Sequence, residues 1–446
     1  MLQSLVAPAL PEIQRDLHAS ATAVTWVLTA YLLSASILTP IVGRLGDMFG
    51  KERTLIFSLA ALGAGTLLAA LATNINVLIV ARVIQGGGGA IFPLAFGIIR
   101  DEFPRERVAT GIAMISAILG VGAGLGIVLA GPIVDALSYH WLFWIPFALV
   151  IVATVGTVFF VPESPIKSPG RVNWAGAALL SAWLVCLLVA ISEGSGWGWT
   201  DPRIVGLFAA AAALLVLWIR NEQRASEPLV DMTMMRVRGV WTVNAAAFLV
   251  GAGMYSSFVL IPLFTETPRS AGYGFHASVT QAGLFLVPST VMMLLVSPLA
   301  GRLANRVGSR LPLVLGSAST CLAFAFLAAE HSRPWDFYVG SLLLGIGIGL
   351  AFASLANLIV EAVRPDQTAV ATGMNTVMRT LGGSVGSQIG ASVIAATVVG
   401  SALPTEHGFT IAFVVAAAAC GLATIASLAV PRPGPRPAAA LVPDTA

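Results

Sequence analysis

The chain has 446 residues, of which 57% are hydrophobic and only 10% charged, and its mean hydropathy is +0.88. A soluble domain carries about 25% charged residues; no water-soluble core could hide this much apolar surface, so lipid must be the solvent. The formal net charge of +3 is spread over short loops, which excludes a nucleic-acid partner.

Apolar stretches near the roughly 20 residues needed to cross a bilayer recur along the chain. Backbone groups in lipid must be satisfied internally, and the alternation of a barrel is absent, so each stretch is read as a helix. The reading is an all-α membrane protein with about fourteen spans. The first, residues 1–11, is too short to cross and is expected to be the outer half of a longer helix. The second, about 22–42, carries Trp26 and Tyr31. A charged, glycine-punctuated loop follows, Gly43-Arg44-Leu45-Gly46-Asp47-Met48-Phe49-Gly50-Lys51-Glu52-Arg53. Its glycines allow a tight turn and close backbone approach.

Further spans are expected at about 54–73, 77–99, 108–134 and 141–161. The third of these four carries no charge in its middle, but 77–99 holds Arg82, then Gln85 and the run Gly86–Gly89. Two more spans, 174–192 and 204–219, flank the turn Trp197-Gly198-Trp199, which suits an interfacial anchor. After a charged loop from Arg220 to Arg238 come 241–264, 280–300, 311–329, 337–360, 370–398 and 409–430. The proline-rich end, 431–446, reads as a disordered tail.

Lys and Arg favour one set of loops. The opposite set holds only Arg15, Arg203, Arg269 and Arg333. The bias places the basic loops and both termini in the cytoplasm, as expected of a multi-pass plasma-membrane protein.

Two segments echo each other at a distance. Gly301-Arg302-Leu303-Ala304-Asn305-Arg306-Val307-Gly308 is a degenerate copy of the stretch starting at Gly43, with Asn305 where the first copy has Asp47. Val108-Ala109-Thr110-Gly111 recurs as Val370-Ala371-Thr372-Gly373. The echoes argue for a duplicated half, as in many secondary transporters. The expected division is an N-terminal six-helix half (1–162), two inserted helices with a cytoplasmic loop (163–240), a C-terminal six-helix half (241–430) and the tail (431–446).

A charge inside an apolar span costs a few kcal/mol, so Arg82 must face protein or water and have a partner. Gln85, one turn on, shares its face. Arg379 is the other mid-span charge, with Asn375 one turn away as a candidate partner. Asp47 is placed to cap the positive end of a helix from the opposite half, the one starting near Thr368, as an inner gate. Gly43, Arg44, Gly50 and Arg53 belong to the same gate. Trp26, Tyr31, Gln85, Asn244, Met254, Tyr255, Phe258, Asn375 and Arg379 are candidates for lining a substrate cavity. The glycine runs invite a phosphate-loop reading, but they have no preceding strand and no Lys-Ser/Thr; close helix packing explains them better. Cys186, Cys321 and Cys420 lie in apolar runs, with no Cys/His cluster to bind a metal. No nucleophile–base pair is proposed, so neither an enzyme nor a cofactor is expected.

The chain resembles the major facilitator superfamily, and within it the fourteen-helix drug:proton antiporter branch. Gly43 to Arg53 matches the loop signature G-x-L-x-D-x-x-G-R-K, with Lys51-Glu52-Arg53 varying its end. Leu78 to Gly86 matches the fourth-helix signature with its Arg and Gln-Gly. Trp141 to Ile145, Pro162-Glu163-Ser164, the inserted pair and Glu227 to Asp231 are typical of the branch. The fifth-helix antiporter signature is altered over Gly126 to Pro132. The resemblance implies a proton-coupled exporter of amphipathic organic compounds, with Arg82 in proton coupling, small molecules and protons as partners in the bilayer, and a monomer as the working unit. The alternatives are a metabolite exporter or facilitator of the same fold without proton coupling, and a non-transporting membrane sensor or relic.

Overall fold

The computed structural model describes residues 2–6, 8–167, 170–397 and 404–431. Past Pro431 the expected tail lies outside the described residues. The chain begins with two short helices, α1 (Leu2–Val6) and α2 (Leu10–Asp16). The N-terminal bundle continues with α3 (Ala21–Phe49), α4 (Lys51–Ala70), α5 (Ile75–Gln85), α6 (Ile91–Glu102), α7 (Arg105–Ala136) and α8 (Trp141–Phe160). Next come α9 (Trp174–Trp197), α10 (Pro202–Arg224) and the short α11 (Met232–Arg236). The last bundle is α12 (Arg238–Glu266), α13 (Val279–Phe285), α14 (Val287–Val307), α15 (Arg310–Ala329), α16 (Pro334–Ala362), α17 (Thr368–Ala395) and α18 (Glu406–Ala429).

Twelve helices among the described residues are long and apolar enough to cross a membrane. Helix α17 is 28 residues long but is not among them. Its Thr, Ser, Asn and Arg side chains lower its hydropathy, and its packing on α3, α12 and α18 removes the need for a lipid-facing apolar surface. Within the stretch expected at 1–11, Leu2–Val6 forms α1, packed on α7, and Leu10 opens α2.

Three expected elements differ. The segment 43–53 is not a loop: α3 runs through Gly43 and Gly46 to Phe49, and only Gly50, at φ +119°, turns the chain. Those two glycines serve approach rather than turning. A Cβ on Gly43 would lie 2.8 Å from the Ala369 carbonyl oxygen, and one on Gly46 would strike the Leu94 side chain. The span expected at 77–99 is α5 and α6 joined by a tighter turn of 3-10 helix, Gly86–Ala90, where a Cβ on Gly86 would lie 2.7 Å from the Ala35 nitrogen of α3. The span expected at 280–300 breaks between α13 and α14, where Pro288 lacks the N–H that would continue the ladder.

The two bundles meet along α3 with α17 and along α7 with α14. Helices α9 and α10 pack on each other, and α9 reaches both α3 and α17, with Thr29 and Ser192 hydroxyls 3.2 Å apart. The buried Glu222 carboxylate ties the inserted pair together, accepting from the Val230 N–H at 3.1 Å and the Asn173 amide at 3.2 Å. Trp183, Leu184, Trp218 and Val230 join one core with Val243, Leu355 and Val370, so the inserted helices share their apolar core with the last bundle.

Helices α12 and α17 pack closely through small residues. A Cβ on Gly382 would meet the Phe248 backbone, its Cα at 2.8 Å, and one on Gly386 would lie 2.7 Å from the Ala252 Cα. Gly382→Ala is therefore expected to cost about 1–3 kcal/mol by overpacking. Gly156→Ala, where a Cβ meets nothing within 4 Å, is expected to leave stability unchanged or slightly raised. Thermal unfolding of the two detergent-purified variants checks the contrast.

Candidate functional site

Two clusters stand out, one at the basic end of the bundle and one near its middle. At the basic end, α17 starts without a side-chain cap of its own, because Gln367 makes none. The first N–H groups of a helix have no intrahelical partner and carry its positive pole. Asp47, in the last turns of α3 and fully buried, supplies the missing acceptor: its carboxylate takes the Ala369 N–H at 3.3 Å and the Val370 N–H at 3.0 Å. This is the helix singled out from the sequence, and Gly43 lets the two backbones come close enough for the bond.

Around Asp47 lies a network that the sequence did not indicate. The buried Lys51 ammonium stands 3.6 Å from Asp47 and donates to Asp101 at 2.8 Å and to the Ile166 carbonyl at 3.3 Å. The Ser164 hydroxyl also donates to Asp101. Glu163 covers the start of α4, accepting from the Glu52 N–H at 3.4 Å, and any side chain at Gly50 would collide with its carboxylate. Arg53 is mostly exposed and approaches Glu163 at 3.6 Å. Arg44 is half-buried, close to Gly170. Arg100, at the end of α6, donates to the Thr368 hydroxyl at 2.6 Å and to the Val363 carbonyl at 2.8 Å, tying the first bundle to both α16 and α17. Lys51, Arg100, Asp101 and Glu163 looked like ordinary loop charges. The only hints in the sequence were that Lys51 belongs to the Gly43–Arg53 motif and Glu163 to Pro162-Glu163-Ser164; nothing pointed to Arg100 or Asp101.

The second copy of the motif makes the mirror contact. Gly301 lies against α7, where a Cβ would be 2.9 Å from the Thr110 Cα, and Asn305 donates to the Glu106 carbonyl at 2.9 Å and the Thr110 hydroxyl at 3.2 Å. The two sequence echoes are thus partners: each copy of the glycine motif meets the opposite bundle's copy of Val-Ala-Thr-Gly. Gly308 turns the chain at φ +87°, as Gly50 does. Asp47 accepts from a helix start, whereas Asn305 donates to a carbonyl.

Near the middle, Arg82 is fully buried. It donates to the Val27 carbonyl at 2.9 Å and to Gln85 at 2.7 Å, and lies 4.6 Å over the Tyr31 ring. Gln85 passes the chain on to the Thr66 hydroxyl at 3.1 Å. Among the described residues no carboxylate pairs with Arg82, and its Nη2 has no hydrogen-bond partner. Arg379 lies 4.2 Å over the Phe352 ring. Asn375 does not serve it: that amide donates to Asn244 across α17 and α12 at 2.9 Å. Tyr31 and Tyr255 lie within electrostatic reach of one another, and Tyr255 of Arg379, so a row Arg82–Tyr31–Tyr255–Arg379 crosses from one bundle to the other.

The remaining candidates divide. Tyr255 packs on Gly383 and pairs edge-on with Phe258 at 6.2 Å. Met254 is buried in the apolar core of the last bundle and does not face the row, and Trp26 is half-buried on α3 away from these contacts. A hollow of only about 10 Å³, room for roughly one water, lies between the bundles among Phe92, Phe96, Ser116, Phe352 and Arg379. A larger cavity of about 450 Å³ opens at the far end, lined by Phe264, Arg269, Tyr273, His331 and Glu406.

Comparison with known proteins agrees with this geometry. Residues 1–387 match the family model described as Major Facilitator Superfamily. The chain is 30% identical over 381 residues to Multidrug resistance protein 3 of Bacillus subtilis, covering 84% of this chain and 73% of that protein. It is 30% identical over 378 residues to the Lincomycin resistance protein of Streptomyces lincolnensis, covering 83% and 76%. It is 28% identical over 376 residues to the Tetracenomycin C resistance and export protein of Streptomyces glaucescens, covering 83% and 69%. The solved human organic anion transporter MFSD10 superposes with a TM-score of 0.67 over 96% of each chain at 16% identity, a likeness of fold alone. With its all-helical fold, twelve apolar helices and these relatives, which are consistent with the fourteen-helix branch, the chain is a membrane protein and belongs to the Major Facilitator Superfamily.

Proposed function

We propose that this protein exports amphipathic organic compounds by alternating access, in exchange for protons, with Asp47 and Asn305 as the two sides of its inner gate. The observation that carries the reading is the swapped pairing at the basic end, where each bundle's glycine motif grips the other bundle. Such a contact must break for that end to open, as rocking of two repeats requires. The names of the relatives, resistance and export proteins, support a drug-like cargo.

In this reading residues 1–162 and 241–430 are the moving halves, 163–240 bridges them, and the basic end faces the cytoplasm, with both termini there. Fourteen spans, counting α17 and the stretch before Pro11, and a monomer in the plasma membrane complete the proposal. Arg82 would tune the protonation of the polar row at the middle.

A second reading, transport without proton coupling, is favoured by one observation. Among the described residues every Asp and Glu sits near a helix end or in a loop, so no mid-span carboxylate is there to carry the proton. Efflux of a dye from proteoliposomes with and without an imposed pH gradient separates the two. Gradient-dependent exchange is expected; the same rate in both would remove coupling.

Two variants test the residue roles. Arg82→Ala is expected to abolish efflux while the protein remains folded in the membrane, and wild-type efflux would rule the role out. Asp47→Asn keeps an oxygen that can cap but loses the charge, worth up to about 1 kcal/mol at a helix start and thus roughly fivefold in the gate equilibrium. In a background without native cysteines, Ala356→Cys, buried on α16 at the hollow between the bundles, is then expected to react faster with a thiol reagent added from the basic side. An unchanged rate would count against the latch.

A further inference from the structure

Among the described residues, the layer between the halves carries positive charge with no carboxylate paired to it. Arg82 and Arg379 are its two cations, at opposite ends of the row that Tyr31 and Tyr255 complete. Among the described residues Arg379 makes no hydrogen bond and no ion pair, and its one close partner is the face of Phe352 at 4.2 Å. Guanidinium stays charged under any physiological condition and cannot escape the cost by losing its proton. An aromatic face returns only part of that cost. A charge held inside a membrane protein without a protein partner marks a place where a ligand or ion supplies one.

The surroundings narrow the ligand. Arg379 lines the small hollow between the halves, together with the rings of Phe92, Phe96 and Phe352 and the hydroxyls of Ser116 and Thr376. Rings on one side and a planar, forked donor on the other suit a molecule with an aromatic body and a carboxylate, which guanidinium can grip through two parallel hydrogen bonds. Organic cations would meet the buried charge of Arg82 and the half-buried charge of Arg379, with no carboxylate among the described residues paired to either.

Resting on the exporter reading, we infer that the cargo is an organic anion with an aromatic body, held directly by Arg379 when the halves part. Arg82, fully enclosed, acts on it only through its field and through Tyr31.

The test uses two xanthene dyes of similar shape and opposite charge, carboxyfluorescein and tetramethylrhodamine methyl ester. Binding to the full-length protein in nanodiscs is followed by fluorescence anisotropy. Carboxyfluorescein is expected to bind at least about tenfold more tightly than the cation, and Arg379→Gln to weaken it at least tenfold, the range expected when a desolvated charge pair loses one member. Arg379→Lys is expected to retain part of the affinity; with the elution profile and melting curve of each variant, it keeps the test decisive if Arg379→Gln does not fold. Equal or tighter binding of the cation, no binding of carboxyfluorescein, or affinity indifferent to both Arg379 variants would overturn the inference. So would Arg379-dependent displacement of the dye when gluconate is replaced by chloride, since that would make the natural occupant an inorganic ion. Movement of the dye across proteoliposomes is measured separately. Arg379-dependent binding without movement would sink the transport reading and leave the charge preference standing.

Discussion

A carboxylate lent by one bundle to the first turn of a helix in the other is the contact on which the basic end of this protein depends. Helix α17 begins without a capping side chain, and its free N–H groups lie where neither lipid nor bulk water can satisfy them. Asp47 does so from across the interface, and the burial of Lys51 beneath it becomes tolerable only because Asp47, Asp101 and a backbone carbonyl surround the ammonium. Remove the acceptor, and the helix pole would be left unpaired while Lys51 would keep only Asp101 and the Ile166 carbonyl. The interaction is strong enough to define a state and local enough to be broken by a small tilt.

The two copies of the glycine motif make that contact alike in place and different in chemistry. Both glycine motifs lie against the partner bundle and both end in a glycine at positive φ. Only the first has kept a charge. The second uses an amide that donates to a carbonyl and a hydroxyl, a neutral contact that is cheaper to make and to break. The charged arm is reinforced by Arg100, which fastens α6 to the ends of α16 and α17. The inserted helices lean on the same region: Asp231, after α10, accepts from Gln367 at 3.2 Å, immediately before the helix that Asp47 caps. Burial pushes the Asp231 carboxyl up, but its hydrogen bonds from Thr233, Gln367 and Met234 outweigh that and hold it below the usual carboxylate range.

Deeper in, the chemistry changes from paired charges to charges laid on rings. Arg82 and Arg379 each rest on an aromatic face, with hydroxyls, amides and one backbone carbonyl in place of carboxylates. The layer is polar without being neutral. The same bundle therefore has a firmly closed basic end and a middle whose two cations lack carboxylate partners among the described residues.

Much of this was legible in the residues. The oily composition dictated helices in lipid, the spacing of apolar runs located nearly all of them, and the repeated Gly-Arg-Leu and Val-Ala-Thr-Gly stretches marked segments that meet across the bundles. Asp47 had no apolar role at the edge of a span, so a helix pole was its natural partner. What the chain alone left open depended on distances between residues far apart in sequence. It did not tell that Gly43 and Gly46 are helical, because a glycine that turns the chain and one that admits a neighbouring backbone read the same. It did not tell that Asn375 serves Asn244 and not Arg379, or that Lys51, Asp101 and Glu163 are more than loop charges. Helix periodicity says which face a residue occupies; only packing decides what meets that face, and for a buried charge the neighbour sets nearly all of the energy.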